Sequence, residues 1–132
     1  MAFITADQLL AHLVGDYIIQ SDWMANEKTK KSVAAAVHAV TYALPFLFLT
    51  FSPSALIFIV VTHFIIDRWR LARFVVYAKN IPWQKWSDCS ATGYHKDRPI
   101  WLSVWLLIIA DNTMHLICNG LALRYLVVVQ FE

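Results

Sequence analysis

The feature that most constrains this chain is a histidine and an aspartate placed four residues apart inside apolar sequence, and it occurs three times. Thr62-His63-Phe64-Ile65-Ile66-Asp67-Arg68-Trp69-Arg70 closes an apolar run that starts near Ala55. His12-Leu13-Val14-Gly15-Asp16 repeats the spacing, and Asp111-Asn112-Thr113-Met114-His115 repeats it in reverse order. Residues i and i+4 share a helix face, so each pair points one way. Ionisable pairs are unfavourable in an apolar helix unless something uses them. The fold must therefore turn these faces toward one another.

The rest of the chain reads as the frame that does this. At 132 residues it is one domain, 1–132. Hydrophobic residues make up 59% and charged residues 15%, with a mean hydropathy of +0.53. This is the composition of a small helical membrane protein. The expected class is all-α, an integral membrane bundle of four transmembrane helices with a polar His/Asp interior. The helices are expected at roughly 4–20, 33–51, 55–79 and 100–128, with a loop at 80–99. In the first, Gln8, His12, Asp16 and Gln20 recur every fourth position as one polar stripe. In the second, His38 and Tyr42 are the strongly polar side chains, and Pro45 predicts a kink. Pro99 suits the first turn of the fourth helix, whose stripe is Asp111, Asn112, His115 and Asn119. The N-terminus lacks the basic region of a cleavable leader, so the first apolar segment is expected to stay in the mature protein.

Ten of the eleven Lys and Arg residues fall in two connectors, Lys28 to Lys31 and Arg68 to Arg98. Both connectors lie on one side of a four-span bundle, and the positive-inside rule makes that side cytoplasmic. The expected location is a bacterial inner membrane, crossed several times, with both termini on the non-cytoplasmic side. A net charge of +2 is too small to argue for nucleic acid. Cys89 and Cys118 form no Cys-x-x-Cys pattern or disulfide framework. His95, beside Lys96, is expected to be solvated.

Every expected helix supplies candidate metal ligands: His12 and Asp16, then His38, then His63 and Asp67, then Asp111 and His115. The helical rise puts His12, His38 and His63 within ~6–12 Å of the cytoplasmic face and Asp111 within ~18 Å. Imidazole with carboxylate suits zinc first, and manganese or iron also. Seven candidates exceed one tetrahedral shell, so either two ions bind or some aspartates orient histidines. A proton or ion relay and structural helix–helix hydrogen bonding are the competing uses of the same residues.

The stretches Leu9-Leu10-Ala11-His12-Leu13-Val14-Gly15-Asp16, Gln20-Ser21-Asp22-Trp23-Met24-Ala25 and His63-Phe64-Ile65-Ile66-Asp67-Arg68-Trp69-Arg70 resemble a family of small bacterial and phage membrane proteins, Domain of Unknown Function family 3307. The resemblance covers nearly the whole chain. In the family pattern the last motif reads Asp-Gln before its histidine; here Asn112 follows Asp111. The motif style is similar to that of membrane-bound metal-dependent hydrolases. The leading expectation is thus a metal-dependent hydrolase of a phosphoester or lipid-like substrate, with Asp67 or Asp16 as general base. A metal or proton transporter, which would need a homo-oligomer, is the second class. A non-catalytic module acting on a host membrane protein, through the Trp83–His95 loop, is the third. The lipid bilayer is the partner common to all three.

Overall fold

The structure is a computed structural model, and it describes residues 3–127. All its regular elements are helical, and the one β feature among the described residues is a single antiparallel bridge between Cys89 and His95. Helix α1 spans Ala6–Leu13; the Thr5 hydroxyl accepts the Gln8 N–H at 3.2 Å and so caps it. It runs without a break into a π-helical turn, Val14–Ile18, in which the Ile19 N–H reaches the Val14 carbonyl at 2.9 Å. Gly15 shows what places the turn. A Cβ there would meet Tyr42 Cδ2 at 2.7 Å and the Tyr42 carbonyl oxygen at 2.8 Å, so only glycine admits this approach to the neighbouring helix.

The short α2, Asp22–Glu27, is capped by Ser21 and ends at Lys28. Helix α3 spans Ser32–Ala43 and tightens into a 3-10 turn, Leu44–Phe48, where Pro45 removes a donor. Its buried Ala34, Ala35, Ala39 and Ala43 let α4 approach closely. Helix α4, Pro53–Trp69, starts with proline in its first turn. The expected helix over 55–79 is broken here. Arg70 adopts the left-handed conformation (φ 51°), and the Leu71 and Arg70 N–H groups return to the carbonyls of Ile66 (3.0 Å) and Asp67 (3.2 Å). Those two bonds close a Schellman motif, which ends α4 and frees α5, Ala72–Ala78, to turn away.

The loop after α5 is folded. A Cβ on Gly93 (φ 83°) would run into the Arg73 carbonyl oxygen, so the loop lies directly on α5. Trp86 stacks on Phe74 with ring centroids 5.4 Å apart, and the Lys79 ammonium donates to Tyr94 Oη at 2.9 Å. Helix α6, Ile100–Tyr125, is the one helix among the described residues long and apolar enough to cross a membrane. The expected end at 128 lies outside the described residues; at the described end, the Ser52 and Ser54 hydroxyls both donate to the Leu126 carbonyl at 2.7 Å.

Four rods thus pack together: α1 with its π turn, α3 with its 3-10 turn, α4 and α6. Their core has two parts. At the end near Ser52 it is apolar, with Phe46, Ala55, Ile59 and Ala122. Toward the connectors it is polar, with Gln8, His12, Asp16, His38, His63, Asp67, His115 and Asn119 all buried. The outward faces carry Leu10, Ile18, Val40, Phe48, Ile57 and Ile109, all exposed. Around the polar part of the core the ionisable side chains are thus inside and large apolar ones outside, the reverse of the usual soluble pattern.

Candidate metal centre

Each rod delivers its polar residues by its own geometry. A four-residue repeat on an ideal α-helix drifts by roughly 40° per step. The wider π turn winds the repeat back, so Asp16 stays turned toward α3. His38 comes from the middle of α3, and His63 and Asp67 from the last two turns of α4. Asp111 and His115 come from the middle of α6.

Four atoms converge. His38 Nε2 lies 3.1 Å from Asp16 Oδ1 and 3.2 Å from Asp67 Oδ2. His63 Nε2 lies 3.6 Å from Asp16 Oδ1 and 3.1 Å from Asp67 Oδ2. The two Nε2 atoms are 3.0 Å apart. An imidazole nitrogen holds either one proton or one lone pair and serves one such partner at a time. A tetrahedral shell at ~2.0–2.1 Å from zinc has edges of roughly 3.3 Å. The five distances bracket that edge, so one cation fits where hydrogen bonds alone leave the group over-subscribed. The Lys28 ammonium stands 2.8 Å from Asp67 Oδ2, in the same group of atoms.

A second group adjoins the first through the same aspartate. His115 Nε2 lies 3.2 Å from Asp67 Oδ1 and 3.3 Å from Asp111 Oδ2. The three side chains form a second set able to hold a cation, and Asp67 belongs to both. A cavity of about 220 Å³ opens beside them, lined by Asp16, Asp67 and Asp111 with Lys28, Arg70 and Gln20. The first set offers four protein ligands, the closed pattern of a structural ion, and the second offers three; both reach the cavity, the first through Asp16 and Asp67 and the second through Asp67 and Asp111.

Of the seven ligands expected from sequence, six fall in these two sets. His12 does not. Its Nδ1 is 2.9 Å from Tyr42 Oη and its Nε2 is 3.2 Å from Asn112 Oδ1. Tyr42 also accepts from Asn119 Nδ2 at 2.6 Å, and its ring stacks on His63 at 3.7 Å between centroids; His63 stacks in turn on His115 at 4.1 Å. This layer fixes the planes of the imidazoles from beneath. Asn112, the departure from the family motif, is thus a partner of His12, and Tyr17 Oη donates to the same oxygen at 3.0 Å. The general base expected at Asp67 finds both its oxygens facing imidazoles, and Asp16 faces His38 and His63. Arg68 turns away from the site, donating to the Thr29 carbonyl at 2.9 Å and to Ser32 Oγ at 3.2 Å. His95 is partly exposed and paired with Asp97 at 3.4 Å.

Lys28 is the site residue that sequence reasoning missed. Burial disfavours its ammonium, the Asp67 and Asp16 carboxylates more than offset this, and its pKa is raised above the ordinary lysine value. Nothing in the spacing marked it, because Lys28, Lys30 and Lys31 look alike on the page. The distinguishing signal is Glu27, which takes Lys31 at 2.8 Å and Lys30 at 3.6 Å and leaves Lys28 to the interior.

No curated protein and no solved structure matches the chain. A family profile described as protein of unknown function (DUF3307) matches residues 4–130. The stretches that hold the converging histidines and aspartates all lie within that match, and the chain belongs to the DUF3307 family.

Proposed function

We propose that this protein is a four-span integral membrane protein with a two-cation centre, acting as a metal-dependent hydrolase on a phosphoester or lipid-like substrate. The single observation that carries the metal reading is the set of five distances of 3.0–3.6 Å among Asp16, His38, His63 and Asp67. Zinc suits the ligand set best. The closed set would hold one ion, and the open set of Asp67, Asp111 and His115 a second, Asp67 being common to both sets. When bound, such ions lower the pKa of a water and polarise a phosphoryl oxygen. The chain's own residues then divide the work. Asp111, the most exposed of the three aspartates and on the cavity wall, would hold the second ion at the cavity's edge, while Arg70 would meet the substrate's charge.

Membrane residence is supported by the inverted surface and by the tryptophans. All six are exposed, by 43% to 88%, and all lie toward the connector side: Trp23, Trp69, Trp83, Trp86, Trp101 and Trp105. Such a belt suits the headgroup level of a bilayer. The basic connectors put that side in the cytoplasm and both termini opposite. A transporter fits less well, because Phe46, Ala55, Ile59 and Ala122 fill the core toward the far end.

The test is elemental analysis of the purified chain beside a phosphoesterase assay. One or two zinc ions per chain, with activity, both lost in His63→Ala, is the expected result. Protein free of metal, with a melting temperature unmoved by chelator, sinks the reading.

A further inference from the structure

The Lys28 side chain stands where a cation would sit. Its Nζ lies 2.8 Å from Asp67 Oδ2, 3.2 Å from His38 Nε2 and 3.9 Å from Asp16 Oδ1, three of the four atoms of the closed set. The backbone is held: the Lys28 N–H bonds the Met24 carbonyl at 2.9 Å, and Arg68 grips the next carbonyl, that of Thr29. Only the side chain is free to leave. An ammonium and a divalent ion cannot occupy one seat, since like charges repel strongly where water is scarce. The contact with His38 also uses the lone pair that a metal ion would take. The charges agree. Asp16 and Asp67 carry two negative charges, which a divalent ion neutralises without Lys28. Lys28 has somewhere to go, since it lines the 220 Å³ cavity together with Arg70 and Gln20.

We propose that Lys28 is an internal counter-cation, seated between Asp16 and Asp67 until a divalent ion enters, and that the displaced ammonium then joins Arg70 in the cavity to bind the phosphate group of the substrate. This rests on the metal reading above. Two measurements on the full chain in detergent test it. The first is zinc affinity by competition with a chromogenic chelator. Lys28→Met, which keeps the length and loses the charge, should bind zinc about tenfold to a hundredfold more tightly than the wild type, the equivalent of one charge-assisted hydrogen bond. Lys28→Arg should show no such gain. A Lys28→Met affinity within twofold of wild type overturns the proposal.

The second measurement uses the wild-type chain alone and so survives any folding defect in the variants. Acylation of Lys28 by a small amine reagent, read by peptide mass spectrometry, should rise severalfold on adding zinc and fall again on adding inorganic phosphate. No rise with zinc removes the counter-cation role. A rise that phosphate does not reverse removes the anion-binding role. If wild type and His63→Ala are alike in binding no zinc, the metal reading itself fails, and Lys28 is a permanent ion-pair partner rather than an exchanging one.

Discussion

Asp67 is the side chain that the two sets share. Its Oδ1 meets His115, while its Oδ2 meets His38, His63 and Lys28. The sequence showed which face Asp67 lies on, but spacing along one helix cannot say which oxygen meets which neighbour, and so it suggested a free base. Asp67→Asn is therefore expected to lose metal as fully as His63→Ala, and elemental analysis distinguishes this from a base role, in which metal would stay. Asp67→Asn also takes from the buried Lys28 ammonium its nearest carboxylate, at 2.8 Å, an effect of about 3–5 kcal/mol that thermal melts in chelator-free buffer would register. His12 predicts the opposite pattern. His12→Ala should keep its metal and lose about 1–3 kcal/mol of stability, since Tyr42 Oη and Asn112 would each lose a partner. Loss of metal in that variant would return His12 to the ligand set.

The helices were legible in the sequence and the joints between them were not. Apolar runs with a polar stripe specify a rod, and Pro45 marked the place where the second one tightens. The π turn at Val14–Ile18 left no such mark, because it depends on Gly15 lying against Tyr42, a contact between residues far apart in sequence. Gly15→Ala should therefore destabilise the chain by about 1–3 kcal/mol through overpacking and weaken metal binding by shifting Asp16; unchanged melting and metal content would show that α3 gives way at no penalty. The break at Arg70 was hidden for a different reason. Arginine is an unusual residue for a left-handed helix end, where glycine is the default. Arg70→Gly should raise stability by about 1 kcal/mol while weakening activity on an anionic substrate. A variant both less stable and fully active would mean that the Arg70 side chain serves packing and not the cavity.

For the molecule as a whole, the composition pointed to a membrane and the polar stripes to an interior. The stripes do meet inside, in the two His/Asp sets. Tyr42 and Asn119 stood out as polar positions of their helices, but the layer they form beneath the site exists only once the rods are packed, when the Asn119 amide donates to Tyr42 Oη at 2.6 Å. If the belt of tryptophans marks one membrane boundary, fluorescence in vesicles should be quenched by brominated lipids with the label near the headgroups and far less by a label near the bilayer centre. Uniform quenching at both depths would remove the belt. If the connectors are cytoplasmic, Cys89 in a Cys118→Ala chain should resist a membrane-impermeant thiol reagent added to intact cells; labelling from outside would invert the topology.

The two cation sets share Asp67 but are completed at different points along the polypeptide, and this bears on how the chain is made. Asp16, His38, His63 and Asp67 all leave the ribosome before Ile100–Tyr125, the helix best suited to enter a bilayer by itself. Until that helix arrives, the closed set has its donors but the second set lacks Asp111 and His115. Assembly is thus expected to have an order, with one ion seated during synthesis and the other only after α6 has docked. A chain truncated after Pro99 and released should then capture a single zinc ion and no more.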